Sequence, residues 1–153
     1  MKFVNIALFI ACSLFMLPAA HAQQKYDPTS WEYEVKKLKG NEYQLIFHAT
    51  LEPKWHIWSM TPGGDGSIVA TFFKFYDNSK LSLKGKMTER GTMITNIIEG
   101  ISGKVMYYEN KVDYTQRALI EGPVTISGEQ VYQVCNDSLC LPPVTRHFSF
   151  TID

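Results

Sequence analysis

Apolar and polar residues alternate with a period of two through most of this chain, which restricts it to β-structure. Trp31, Tyr33 and Val35 alternate with charged residues, and Tyr43 to Ala49 repeats the pattern. In a strand, such alternation puts every second side chain on the same face. No window of helical length keeps a 3.6-residue period. We therefore predict an all-β protein.

Turn-forming residues divide the chain into about eight short strands. Gly, Pro, Asn and Asp cluster between the alternating runs, for example at 39–41, 77–79 and 121–123. Short strands joined in this way form antiparallel sheets that pack face to face. The pattern predicts an antiparallel β-sandwich. The alternating runs lie near residues 31–35, 43–49, 68–75, 81–83, 93–98, 112–120, 124–126, 131–135 and 147–152.

The first 22 residues have the form of a secretory signal peptide. Lys2 gives a positive start, Phe3 to Leu17 is almost wholly apolar, and Ala20-His21-Ala22 has the small-x-small form that signal peptidase cuts. A membrane anchor is the alternative, but about 15 apolar residues are few for a span of ~20. We predict cleavage after Ala22 and an exported mature chain, residues 23–153, that forms a single domain.

The charge balance argues against partners that need a strongly basic or acidic surface. Loss of Lys2 takes the 15 basic residues to 14, against 15 acidic ones. A chain so near neutrality gives no indication of nucleic acid or of an anionic membrane surface. An exported chain meets oxidising conditions, in which a pair such as Cys135 and Cys140 usually forms a disulfide.

Two glycine-containing stretches break the alternation and are predicted to be loops. Pro62 to Gly66 has three glycines in five residues. Gly100 to Asn110 carries bulky residues, among them Val105, Met106 and Tyr107. Exposed apolar residues in a loop need a reason, and we expect this loop to cover another part of the molecule.

Cys135 and Cys140 close a very short loop, in which Asn136-Asp137-Ser138 supplies turn chemistry. By chain-entropy arithmetic, a disulfide around about six residues gains only ~2 kcal/mol, against ~4.7 for a loop of 100. A short, accessible disulfide in a turn is typical of bonds that exchange. From these residues alone, a structural disulfide and a redox-active one are equally well supported.

Three stretches resemble the N-terminal (alpha) domain of the thiol:disulfide interchange protein DsbD family. Tyr132 to Pro143 is similar to its active-site signature, which is Tyr-Gln-x-Cys, a short loop, a second cysteine and x-Pro-Pro. Trp55 to Ser59 resembles its aromatic-rich strand. Tyr107 to Asn110, followed by the strand from Val112, is similar to the segment that begins at its cap loop. The resemblance covers about Tyr33 to Ile152.

The resemblance implies an immunoglobulin-like β-sandwich in the periplasm. In that family the cysteine pair takes electrons from a thioredoxin-like protein and passes them to oxidised envelope proteins, a supply that extends to cytochrome c biogenesis. The second cysteine forms the mixed disulfide, so Cys140 would exchange and Cys135 would resolve. Tyr107 and Met106 would shield the pair as a cap. The other neighbours of the pair would be Tyr132, Gln133, His56 and Trp58.

The chain departs from the family pattern in ways that bear on function. Its cysteine loop is one residue shorter, and Val105 and Met106 stand where acidic residues precede the cap aromatic in the family. The usual protein continues into membrane spans and a thioredoxin-like domain, which the residues up to Asp153 do not include. We expect a stand-alone relay that depends on a separate membrane thiol reductase and on thioredoxin-fold partners.

Two other functions are compatible with the sequence. One is a binding or adaptor sandwich whose disulfide is purely structural. The other is a periplasmic copper-handling protein that uses His56, Met60 and the thiols, since imidazole and thioether are copper ligands. A packed aromatic strand with His56 at its edge is the simpler interpretation. The spacing of these residues defines no metal site, and we predict neither a metal nor a cofactor.

Overall fold

The computed structural model describes residues 26–153, so the predicted signal peptide lies outside the described residues. Residues 26–153 contain no helix of the length and hydropathy needed to cross a membrane. All strand pairings in this part of the chain are antiparallel, which confirms the predicted all-β class. The strands are β1 (Thr29–Lys37), β2 (Glu42–Leu51), β3 (His56–Gly63), β4 (Phe72–Phe75), β5 (Leu81–Asn96), β6 (Val105–Ile120), β7 (Val124–Tyr132), β8 (Val134–Cys135) and β9 (Val144–Ile152).

The larger sheet is built around β6. Strand β5 pairs along one edge of β6. Along the other edge, β2 pairs with the C-terminal half of β6 and β3 pairs with its N-terminal half. Strands β2 and β3 therefore lie end to end along this edge of β6. The short β8 pairs with the outer edge of β3, and β1 pairs with the outer edge of β2. This arrangement carries the cysteine loop to one end of the sheet.

The smaller sheet, in the order β4-β7-β9, packs against the larger one through aromatic side chains. Phe47 of β2 lies 4.7 Å from Phe73 and 4.9 Å from Phe148 between ring centroids. Phe148 can cross β7 because Gly128 has no side chain. A Cβ at that position would lie 2.5 Å from the Phe148 ring and 2.2 Å from the carbonyl oxygen of Lys74. The predicted runs at 124–126 and 131–135 are joined as far as Tyr132 in the continuous strand β7.

The structure differs from the sequence prediction in the length of several strands. The runs near 81–83 and 93–98 belong to one long strand, β5, whose pairing with β6 shifts register twice. The expected strand at 68–75 is reduced to β4. The predicted loop Gly100–Asn110 was wrong beyond Lys104, because Val105 already belongs to β6. Val105 and Tyr107 are buried rather than exposed, since their strand lies between β3 and β5.

Candidate functional site

A tight turn, Asn136–Leu139, brings the two cysteines together at the end of β8. Cys135 and Cys140 form a β-bridge, and a disulfide joins them. The Asn136 side chain accepts hydrogen bonds from the N–H groups of Ser138 and Leu139, both at 2.9 Å. The N–H of Asn136 donates to the carbonyl of Leu139. This Asx turn, which the Asn-Asp-Ser sequence predicts, holds the hairpin closed by its own hydrogen bonds.

The two cysteines differ in exposure. Cys135 is 2% exposed, because β8 pairs with β3 and carries it against the sheet. Cys140 lies on the outer arm of the hairpin and is exposed, as is the neighbouring Leu139. A thiolate from another protein can therefore approach Cys140 from solvent, whereas Cys135 is protected from such attack.

Side chains of β3 and β6 surround Cys135. A buried cluster that we call the cysteine cluster is formed by Cys135, Trp58, Val105 and Tyr107. It lies on the face of the larger sheet opposite the main core, because the adjacent residues Ile57 and Tyr108 point into that core. The rings of Trp58 and Tyr107 meet edge to face at 5.8 Å between centroids. The disulfide therefore rests on a small second core.

His56 completes this surrounding. It is the Cα partner of Cys135 across the β3–β8 pair, and it is 7% exposed. Its ring lies 4.4 Å from that of Tyr107 and 4.9 Å from that of Trp58, so His56 and Trp58 share the face that alternation predicts. Burial lowers the pKa of His56, and the nearby carboxylate of Asp137 opposes that shift only in part. The imidazole is therefore neutral at pH 7.

Two loops close over the cysteine cluster, one at 64–71 and one at 97–104. We call them the covering loops. Their contacts with the cluster come from Ile68 in the first loop and from Ile98 and Ile101 in the second. The backbone N–H of Gly64 donates to the carbonyl of Lys104 at 3.0 Å, which joins the loops at their base. The loops thus cover the cluster from outside, whereas Tyr107 is a member of the cluster and lies on β6 rather than in a loop.

A single carboxylate also joins the covering loops at the surface. Asp65 accepts a hydrogen bond from the N–H of Ser67 in its own loop at 3.1 Å, and one from the N–H of Ser102 in the other loop at 3.0 Å. Hydrogen bonds from Ser67 and Ser102 lower the pKa of Asp65 to about 2. The carboxylate therefore stays charged at neutral pH. Sequence analysis missed this role, although Asp-Gly-Ser at 65–67 is a recognisable turn signal.

The structure brings together some of the predicted neighbours of the pair and separates others. Gln133 donates from Nε2 to the carbonyl of Leu141 at 3.0 Å, so it braces the outer arm of the hairpin. Tyr132 points into the main core instead, where its hydroxyl donates to Asp27 at 2.5 Å. Met106 lies next to Gly63, on the face of β6 opposite Tyr107.

The residues considered for copper do not form one site. His56 packs beside the cysteine cluster, whereas Met60 packs against the main core. Within residues 26–153, no three histidine, cysteine or carboxylate side chains converge as they would around a metal ion. What the arrangement supplies is a disulfide with one accessible sulfur, an adjacent neutral imidazole and a covering that excludes solvent.

Comparisons with solved structures show domains of the same fold. The N-terminal periplasmic domain of ScsB from Proteus mirabilis matches with a TM-score of 0.60 and 16% identity, over 84% of this chain and 47% of that one. This chain thus spans about half the length of that ScsB domain. The N-terminal domain of Neisseria meningitidis DsbD in its reduced form matches with a TM-score of 0.54 and 13% identity, over 80% and 86% of the two chains.

Sequence comparison gives the family. No curated protein sequence matches this chain significantly. The family model described as the N-terminal region of the thiol:disulfide interchange protein DsbD matches residues 23–152. That match covers nearly the whole predicted mature chain, including both cysteines, and the DsbD domain that shares the fold is an immunoglobulin-like β-sandwich. The chain therefore belongs to the family of DsbD N-terminal domains.

Proposed function

We propose that this protein performs thiol–disulfide exchange in the periplasm, where Cys135 and Cys140 relay electrons from a thioredoxin-like reductase to oxidised envelope proteins. The observation that carries the proposal is the unequal exposure of the two cysteines. Cys140 is open to solvent, and Cys135 is 2% exposed. A purely structural disulfide has no need of this asymmetry, whereas a relay needs one sulfur to meet partners and one to release them.

The exchange proceeds in two steps. In the reduced protein the Cys140 thiolate attacks a disulfide sulfur of the client, which forms a mixed disulfide and releases one client thiolate. The Cys135 thiolate then attacks the Cys140 sulfur, which closes the Cys135–Cys140 disulfide and releases the second client thiolate. Two electrons pass to the client. The reductase reloads the pair by the reverse sequence, entering at Cys140.

The family supports the proposed partners and location. Family membership favours thioredoxin-fold proteins as donor and client. The ScsB domain of the same fold is periplasmic by its own description, and the first 22 residues here resemble a signal peptide. We propose that cleavage follows Ala22 and that a separate membrane thiol reductase supplies the electrons.

To test the proposal, each single-cysteine variant is converted to its mixed disulfide with thionitrobenzoate. A reduced thioredoxin-fold protein that lacks its resolving cysteine is then added. In Cys135→Ala the label sits on Cys140, and we expect rapid release of thionitrobenzoate with formation of a covalent heterodimer. In Cys140→Ala the thiol that remains within residues 26–153 is the buried Cys135, and we expect little labelling and no heterodimer. The products are resolved by non-reducing electrophoresis and mass spectrometry.

Two outcomes would count against the proposal. If neither variant forms a heterodimer, the pair does not exchange with thioredoxin-fold proteins and a structural disulfide is the better explanation. If both variants form it at the same rate, exposure does not direct the exchange. A variant lacking both cysteines controls for labelling elsewhere in the chain.

A further inference from the structure

His56 occupies the centre of a cross-strand row. Its Cα partner on one side is Cys135 of β8, and on the other side it is Glu109 of β6. Directly opposed residues of antiparallel strands project from the same face, with their Cβ atoms about 5 Å apart. The imidazole and the Cys135 side chain are therefore neighbours on the face that carries the cysteine cluster.

The environment of His56 leaves one ring nitrogen available. The ring is held between Tyr107 and Trp58, at 4.4 Å and 4.9 Å between centroids. Its Nε2 atom is buried and has no hydrogen-bond partner among the described residues. Buried polar atoms in folded proteins nearly always have a partner, so an unsatisfied one calls for an explanation. A thiol that forms only when the adjacent disulfide is reduced would supply that partner.

Reduced Cys135 needs a base nearby. Burial among aromatic rings disfavours a thiolate, and the carboxylate of Asp137 in the adjacent turn disfavours it further. Yet the second step of exchange requires Cys135 in its thiolate form. Solvent hydroxide has poor access to a residue that is 2% exposed.

We propose that His56 is the general base for the Cys135 thiol in the resolving step. This inference rests on the proposed function. In the mixed disulfide, Nε2 of His56 takes the proton from the Cys135 thiol. The thiolate attacks the Cys140 sulfur, the bond between Cys140 and the client sulfur breaks, and its electron pair leaves on the client thiolate. That thiolate then takes the proton from the imidazolium, so His56 returns to its neutral form.

The charges around His56 suit this role. Burial keeps its pKa below the ordinary value, so the ring is in the accepting form at pH 7, while Asp137 stabilises the imidazolium after proton transfer. On β6, Tyr107 covers the ring and Glu109 is exposed to solvent. On β8, Cys135 is the proton donor itself. These groups come from each of the elements that pack against His56.

The test follows thionitrobenzoate release when the reduced protein reacts with Ellman's reagent. Attack by Cys140 releases the first thionitrobenzoate, and resolution by Cys135 releases the second. In His56→Phe we expect the second phase to slow about tenfold at pH 7, since only a few per cent of an unassisted thiol is ionised there. The first phase should keep its rate. His48→Phe, which removes a histidine on the outer face of β2, is the matched control and should leave both phases unchanged.

The pH profile separates proton transfer from a packing effect. The second phase of the wild-type protein should be nearly level from about pH 6 to 8 because the base is already neutral. In His56→Phe the same phase should rise about tenfold per pH unit, as expected for spontaneous ionisation of a thiol. His56→Gln keeps a polar side chain but removes the base, so its second phase should rise as steeply with pH. This variant serves as the test if His56→Phe does not fold.

A wild-type rate and a level profile in both His56 variants would overturn the assignment. That failure is distinct from failure of the proposed function. The second phase with Ellman's reagent reports on the intramolecular step, whereas the proposed function fails when Cys140 forms no heterodimer with a thioredoxin-fold protein.

Discussion

At the scale of single residues, adjacent positions on β6 have different tasks. Tyr107 packs against His56 and Trp58 over Cys135, whereas Met106 lies on the opposite face next to Gly63. The sequence could not separate them, because bulky residues follow one another from Val105 to Tyr108 and mask the period of two. By contrast, Asn136 and the alternation of His56 with Trp58 were visible in the sequence, since turn chemistry and a clean period of two are local signals.

Loss of the Tyr107 ring should make the disulfide easier to reduce. In Tyr107→Ala we expect reduction by dithiothreitol to accelerate several-fold, because the ring that covers Cys135 and supports His56 is gone. Met106→Ala is the matched control and should react at the wild-type rate. With dithiothreitol in large excess, the appearance of the reduced protein, trapped by alkylation and followed by mass spectrometry, gives both rates. Equal acceleration in both variants would indicate general loosening of β6 rather than loss of a shield.

At the scale of secondary-structure elements, the long strands β5 and β6 were the least predictable part of the fold. Residues 84–91 of β5 are mostly polar and give no alternation, because this edge strand is largely exposed and is held by pairing with β6. A strand that is stabilised mainly by pairing with its neighbour shows only a weak hydrophobic pattern in its own sequence. Loops overlapping the covering loops were predicted at 62–66 and 100–110, but their bounds and their mutual hydrogen bonds were not, because those bonds join residues far apart in sequence.

The Asp65 carboxylate should hold the covering loops closed. In Asp65→Ala the N–H groups of Ser67 and Ser102 lose their acceptor, so we expect several-fold faster amide hydrogen exchange in residues 97–104. Glu99→Ala removes the same charge from the loop at 97–104 and is the matched control, with no change in exchange expected. Unchanged exchange in Asp65→Ala would mean that Ile98 and Ile101 hold the loop by packing alone.

At the scale of the whole molecule, the main core and the disulfide are separate. Among residues 26–153, the sixteen buried residues of the main core include neither Cys135 nor Cys140, and β8 joins the hairpin to the edge of the larger sheet. The β-sandwich and the disulfide were predictable, because they depend on composition and repeated local patterns. The second core under the disulfide was not, because it assembles side chains from β3, β6, β8 and two loops.

Reduction should weaken the protein only slightly. A disulfide around about six residues contributes ~2 kcal/mol in the chain-entropy account, so the reduced protein should remain folded with its free energy of unfolding lowered by about that amount. Urea denaturation followed by tryptophan fluorescence, with and without a phosphine reductant, measures the difference. The variant with both cysteines replaced by alanine should be insensitive to the reductant. Unfolding on reduction would show that the disulfide is a structural requirement.

The short hairpin on the outer edge of β3 has an evolutionary consequence. The reactive atoms occupy Val134 to Leu141, and the second core beneath them takes side chains from β3, β6 and the covering loops. The rest of the sandwich is a platform whose residues need only stay apolar inside and polar outside. Such a platform can drift far in sequence, and the two domains of the same fold share only 16% and 13% of their residues with this chain. Selection for a new partner can then change the hairpin and the residues around it without changing the platform beneath.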